Sequence, residues 1–332
     1  MAGAPPPARR PALVEVSSAS VRGRPGLRMM LVLRAPGCRY AQQTGGCTNC
    51  GFWQHMTTGG RPVAAGDLVA QLRRALTLHA QQVPRLAQLD LFCSGSFFCD
   101  GEIPPGARAR LLSLAAQLPA LRALLVESRP EYITDEALEQ ALLALGPGRA
   151  GLLEVAIGLE SADRVIREER IRKGFSLEDF EAAAGRMAAA GGVGLLVYLL
   201  LKPAGTGEAE ALRDVLRSGR YLAGLGRRLA LPLRVALEPA FVPEDTDLQR
   251  ELLAGRYTPP SLWTALRAAR GLADDGLTVH VGLSSEGLPA DHVASGCPEC
   301  TPALRRALAL FNETQDPASL AGLSCACGGH QG

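Results

Sequence analysis

With 332 residues, 35 Lys and Arg against 33 Asp and Glu, and a formal net charge of +2, the chain is long enough to bury a full core. It carries no global field that would draw it to nucleic acid or anionic lipid. The length fits one large α/β barrel or two modest domains, and neither needs a disulfide or a metal to fold. Residues 1–12 (MAGAPPPARRPA) lack the apolar stretch of a signal peptide, and the apolar run Val193–Leu201 ends at Lys202-Pro203, far short of a membrane span. The expectation is a soluble protein of a reducing cytoplasm, with no membrane partner.

The Pro-rich start predicts a disordered or extended tail over residues 1–26. After it, short apolar runs alternate with longer Ala/Leu/Arg segments of helical period, the pattern of repeated βα units around a parallel sheet. Strands are expected at Leu27–Arg34, Leu86–Cys93, Leu121–Glu127, Gly151–Gly158, Val193–Leu201, Leu233–Ala240 and Leu277–Leu283. Helices are expected at Ala65–His79, Ala107–Gln117, Asp135–Leu145, Ser176–Ala190, Gly207–Leu225 and Pro260–Asp274, with Ser176-x-x-Asp179 as a capping box. The fold class is therefore α/β, a partial (β/α)6 TIM-like barrel over residues 27–285 followed by a small Cys-rich extension over 286–332. In such a barrel the chemistry collects at the carboxyl ends of the strands.

Seven of the nine cysteines fall into two tight groups, a placement that suits chelation better than stapling. Cys38, Cys47 and Cys50 lie on the loop after the first predicted strand of the barrel. Three thiolates on a [4Fe–4S] cube leave one iron open for a substrate, much as an open zinc site keeps a position for water. Gly45, Gly46 and Gly51 supply a permissive backbone there, and Phe52 or Trp53 is placed to shield a cluster. The structural alternative is a zinc knuckle completed by His55. Cys297, Cys300, Cys325 and Cys327 form a complete four-thiolate set, which favours a closed zinc site over an auxiliary iron–sulfur cluster; His292 and His330 lie near enough in sequence to substitute. Cys93 and Cys99 flank a Gly-Ser turn and read as buried free thiols before they read as redox groups.

Several motifs carry a resemblance that spans residues 28–327. They are Gly46-Cys-Thr-Asn-Cys-Gly-Phe52, Phe92-Cys-Ser-Gly-Ser-Phe97, Glu127-Ser-Arg-Pro-Glu-Tyr-Ile-Thr134, Gly158-Leu-Glu-Ser161 with Lys173-Gly174-Phe175, Leu201-Lys-Pro203 and the terminal cysteines. Together they resemble the radical S-adenosylmethionine (SAM) superfamily, although C-x8-C-x2-C is wider than its commonest spacing; wider spacings occur in the branch of the Elongator catalytic subunit. Closer still is the similarity to the family of the radical SAM subunit of archaeosine synthase. The resemblance implies that Cys38, Cys47 and Cys50 are the catalytic cluster ligands. It implies that the Ser94-Gly95-Ser96 turn takes the SAM amino group, that Glu127 and Arg129 fix ribose and carboxylate, and that Glu160 and Ser161 touch the ribose hydroxyls. Lys202 would meet an anion or substrate, and Glu238 and Glu244 lie near the mouth. On placement alone, Glu160 reads equally well as an ion pair or cap, and Lys202 as a lysine snorkelling from a strand end.

The activity so implied is reductive cleavage of SAM to a 5′-deoxyadenosyl radical, which abstracts hydrogen from a substrate carbon. In the family that carbon belongs to a lysine-derived side chain on a deazaguanine base of tRNA, and a partner transferase brings the RNA-binding part. An external electron donor of the flavodoxin or ferredoxin type is implied as well. A free nucleoside in natural-product biosynthesis is the alternative substrate. A zinc-stabilised binding protein, with both cysteine groups structural, is the alternative that is not an enzyme.

Overall fold

The computed structural model describes residues 7–148, 151–285, 287–290 and 292–327. The first strand, β1 (Leu13–Val21), lies in the segment read from the sequence as a disordered or extended tail; it is instead a paired strand of the sheet. It pairs antiparallel along its length with β2 (Arg24–Val32). The two residues between them, Arg22 and Gly23, both hold positive φ (53° and 71°), the geometry of a two-residue hairpin turn. The sequence hides this hairpin because an arginine occupies a position where Asn or Asp is the usual signal.

The remaining strands are β3 (Leu86–Phe92), β4 (Ala123–Glu127), β5 (Leu153–Glu160), β6 (Val193–Leu201), β7 (Leu233–Pro239) and β8 (Thr278–Val281). They form one sheet in chain order, β1 to β8. The pairs β2/β3, β3/β4, β4/β5 and β7/β8 are parallel. Each of the seven strands read from the sequence is present, and each long connection carries a helix, as parallel pairing requires. The six expected helices are present as α3 (Ala65–Leu78), α4 (Pro105–Ala116), α5 (Asp135–Leu145), α6 (Leu177–Ala190), α7 (Glu208–Leu229) and α9 (Leu262–Asp274). Three short ones were not expected: α1 (Arg39–Thr44), α2 (Phe52–His55) and α8 (Asp247–Leu253). The C-terminal helix α10 runs from Thr301 to Thr314. None of the helices in the described residues is long and apolar enough to cross a membrane.

The chain divides into two compact units. The first comprises the described chain up to Gly46, with Phe52–Ile157 and Glu178–Leu195. Its centre is β3, buried at every position because helices and neighbouring strands cover it. The one carboxylate in β3, Asp90, is paired with Arg28 of β2 and accepts a hydrogen bond from the Gln88 amide. Helix α5 starts at Thr134, whose hydroxyl accepts the Ala137 amide, so this motif residue is a helix cap.

The second unit comprises Cys47–Gly51, Gly158–Leu177 and the described chain from Leu196 onward. Here α7 and α9 interlock: Leu272 lies where a Cβ on Gly219 would go, and Leu216 where one on Gly271 would go. An unpredicted π-helix, Val165–Arg170, follows β5, with Arg167 wholly buried and bonded to the carbonyls of Ser161, Ala162 and Phe175. Wide turns of this kind occur often beside functional sites.

Candidate functional site

In the first unit, three loops at the carboxyl ends of β2, β3 and β4 are tied edge to edge. Cys38 caps α1 and donates its amide to the carbonyl of Ser94 at 3.0 Å. Gly95 lies directly against it: a Cβ there would fall 2.8 Å from the Cys38 nitrogen and 2.9 Å from its Cα. Ser94 holds a left-handed φ of 54°, and its hydroxyl is buried without a hydrogen-bond partner among the described residues. Ser96 is wholly buried, and its hydroxyl accepts the Arg129 amide at 3.1 Å. Phe97 donates its amide to the carbonyl of Glu127 at 2.7 Å. The Arg129 guanidinium is paired with Glu131 and stacks over the Tyr40 ring at 4.2 Å. Phe52 opens α2 and is half-buried.

The sequence reading missed Glu102. This carboxylate is 1% exposed and receives the amides of Arg39 (2.8 Å) and Ser96. Burial raises its pKa to about 6, against the pull of those two amides. The one signal available was a carboxyl set between Gly101 and the apolar Ile103-Pro104. Cys93 and Cys99 are buried free thiols; burial, and then the Glu102 charge, pushes both upward.

In the second unit, Cys47 and Cys50 bracket a turn closed by the Cys50 amide on the Cys47 carbonyl (3.2 Å). Thr48 anchors that turn. Its amide and hydroxyl bond the carbonyls of Ile171 and Arg170, and its own carbonyl accepts the Leu248 amide. The Asn49 side-chain oxygen is buried without a partner among the described residues. At the end of β5, Glu160 (φ 65°) pairs with Lys173 at 2.8 Å. Gly158 lies beneath this pair, and a Cβ there would sit 2.5 Å from Glu160 Oε1 and 2.6 Å from Lys173 Nζ. The Gly158 to Ser161 motif and Lys173 therefore meet in one ion pair. Ser161 is buried and donates to Asp214 (2.9 Å), whose pKa burial lifts to about 6. Lys202 (φ 66°, 6% exposed) gives its ammonium to Glu208 (2.8 Å) and Thr258 (3.1 Å), and its carbonyl accepts the Tyr257 hydroxyl. Glu238 lies within β7, where Gly282 leaves room for its carboxylate, and Glu244 is exposed on the loop beyond.

Three of the non-glycine residues with left-handed backbone, Ser94, Glu160 and Lys202, thus end β3, β5 and β6, and each was a candidate site residue. Such conformations cost of order 1 kcal/mol each and concentrate at functional positions.

The C-terminal cysteines do come together. The donor atoms of Cys297, Cys300, Cys325 and Cys327 all lie within 4.8 Å of one another. Cys297 Sγ is 3.5 Å from both Cys300 and Cys325, and Cys300 is 4.0 Å from Cys327. A tetrahedral ion with metal–sulfur bonds of about 2.3 Å sets its sulfurs about 3.8 Å apart, so the set matches a single ion. A four-iron cube, with each thiolate on its own iron, needs a wider span. Gly296 makes the approach possible, since a Cβ there would be 2.6 Å from Cys300 Sγ. The Thr301 hydroxyl takes the Gly296 amide and donates to the Cys297 carbonyl, locking the knuckle onto α10. His292 has its backbone bridged to Val242, and His330 lies outside the described residues. Among the described residues this is the one group of three or more ligating side chains so gathered.

Solved structures that share the fold include the following two. One is a radical SAM methyltransferase from Sphaerobacter thermophilus (TM-score 0.53, 17% identity, 82% of this chain and 70% of that one). The other is Methanocaldococcus infernus Elp3 lacking its N-terminus (TM-score 0.51, 16% identity), where the match covers 73% of this chain and 59% of that chain's length. The architecture is therefore the partial TIM-like barrel of the radical SAM fold. No protein-family model matches the chain. Among curated proteins, archaeosine synthase subunit beta of Methanosarcina acetivorans is 31% identical over 330 residues, 97% of this chain and 89% of that protein. The Thermococcus kodakarensis protein of the same name is 28% identical over 267 residues, covering 75% and 73%. The chain belongs to the archaeosine synthase subunit beta family.

Proposed function

We propose that this chain is a radical SAM enzyme of tRNA modification, with a [4Fe–4S] cluster on Cys38, Cys47 and Cys50. The observation that carries the reading is the cradle beside the first cysteine. Gly95 lies against the Cys38 backbone where no side chain fits, and the Ser94 hydroxyl next to it is buried with no protein partner among the described residues. A small polar group such as an amino function would satisfy that hydroxyl, while Gly95 lets the turn pack against the Cys38 loop. When bound, the cluster supplies an electron that breaks the carbon–sulfur bond of SAM and yields a 5′-deoxyadenosyl radical for hydrogen abstraction.

The other residues divide by what they already touch. Glu127 and Arg129, at the end of β4, remain the candidates for ribose and carboxylate, with Phe52 screening the cluster from water. Glu160, held by Lys173 but still 13% exposed, remains the candidate ribose contact on β5. Ser161 and Lys202 have their polar atoms engaged within the protein and serve by holding their loops. Zinc in the four-thiolate set fixes the start of α10. The proposal further includes a modified tRNA base as substrate, a partner transferase, and a flavodoxin- or ferredoxin-type donor. Nine cysteines, none in a disulfide among the described residues, suit a reducing cytoplasm. A free nucleoside is the second reading, favoured by the near-neutral charge of +2.

The test is anaerobic purification with metal and sulfide analysis, followed by an assay for 5′-deoxyadenosine. The expected result is about four irons plus one zinc per chain, and loss of SAM cleavage in each of Cys38→Ser, Cys47→Ser and Cys50→Ser. A protein with zinc alone, or three variants that all still form 5′-deoxyadenosine, would overturn the reading.

A further inference from the structure

We infer that Glu102 is a positioning residue for the proposed cluster and SAM site, its buried carboxylate clamping the loop that carries Cys38 to the Gly95 turn. This rests on the cluster assignment above and adds a residue that no cysteine or glycine pattern marks.

The clamp has three rungs. The Arg39 amide reaches Glu102 Oε1 at 2.8 Å, the Ser96 amide reaches Oε2, and the Cys38 amide reaches the Ser94 carbonyl at 3.0 Å. One side chain thus fixes the peptide next to the first cluster ligand and the peptide next to the candidate SAM turn. Gly95 is enclosed between them, because a Cβ on it would collide with Glu102 Oε2 and with the Cys38 backbone. The tie continues to β4 through the Ser96 hydroxyl on the Arg129 amide (3.1 Å) and the Phe97 amide on the Glu127 carbonyl (2.7 Å). The residues proposed to face SAM on β3 and β4 therefore share one hydrogen-bonded frame, and Glu102 joins the Cys38 loop to it.

The chemistry requires a carboxylate. Its two oxygens accept from two amide donors, and charge-assisted bonds of this kind are about twice as strong as neutral ones. Glutamine has nearly the same size but only one acceptor oxygen, so one of the two amides would face an NH2 group. A buried acceptor lost in this way lets its loop move, and a displacement of about 1 Å at a reacting centre is enough to cost on the order of 100-fold. Carboxylate charge one residue from Cys38 also opposes addition of an electron to a cluster bound there.

The experiment compares wild type, Glu102→Gln and Glu102→Asp, all reconstituted with iron and sulfide. Iron content and thermal unfolding establish that each is folded and loaded. The readouts are the SAM dissociation constant, the change in the cluster's electron paramagnetic resonance spectrum on adding SAM, and the cluster midpoint potential. The expected result for Glu102→Gln is SAM binding weakened tenfold or more, with the spectral change shifted to higher SAM, and a more positive potential. Glu102→Asp keeps the charge but is one methylene too short to reach both amides. It is expected to weaken SAM binding while leaving the potential near that of wild type. Loaded variants with unchanged SAM affinity and potential would overturn the proposal, as would unfolding of both, which would make Glu102 a folding residue only. A wild-type protein that holds no cluster would end the parent reading instead, before either variant is compared.

Discussion

Asp214 provides a quantitative test of the site's electrostatics. The side chain is 2% exposed on α7, accepts the Ser161 hydroxyl, and has its pKa raised from 3.8 to about 6, first by burial. The folded state therefore binds this proton more tightly than the unfolded chain does. Below about pH 4 the group is protonated in both states and contributes nothing to the difference. Above about pH 6 it is ionised in both, and the fold bears a penalty of about 3 kcal/mol. Stability from this group accordingly falls as pH rises through that window. Asp214→Asn keeps an oxygen to accept from Ser161 and removes the charge. The partner charge it leaves, Arg217, is 59% exposed and loses little. Denaturant unfolding of both proteins at a series of pH values should show the variant about 1–3 kcal/mol more stable at pH 7.5, the advantage vanishing near pH 4. A variant clearly less stable at pH 7.5, or a difference that does not change with pH, would refute the argument and assign Asp214 a favourable ionic role.

Two further outcomes follow from the second unit. Lys173→Met leaves Glu160 on a left-handed backbone without its ion-pair partner, which should cost about 2–4 kcal/mol. A double-mutant cycle with Glu160→Gln should recover part of it, and additive losses would show that the two side chains are not coupled. Cys300→Ser should remove the zinc proposed for the four-thiolate set and lower the unfolding temperature through the start of α10, while the irons proposed at the first cysteine group stay bound. Metal analysis with calorimetry reads both, and parallel loss of iron and zinc would contradict two separate sites.

The apolar runs made the barrel legible. A parallel strand covered on both faces must read as a continuous run such as Leu195–Leu201, and all seven such runs are strands. β1 escaped because Val-Glu-Val-Ser-Ser carries the weaker half-exposed pattern and a hairpin turn without Asn or Asp. The closed cysteine set was legible because four thiols within thirty-one residues have few other uses, and the structure gathers them. The partners of the candidate site residues were not legible. Glu102 lies 63 positions from Arg39, and Asp214 lies 53 from Ser161, so only folding brings each pair together. The same applies to Lys202, whose position at the strand end was readable while the Glu208 and Thr258 that hold its ammonium were not.

The hairpin at the start of the described chain also bears on association between copies. Without it, β2 would present an open row of amides and carbonyls beside the apolar Met29–Val32, a template for pairing with a second molecule. β1 occupies that row along its whole length, and its own outer rim is a strand broken by three serines and a glutamate. Trimming the N-terminus for crystallisation beyond Ala12 would therefore remove the guard on an aggregation-prone border.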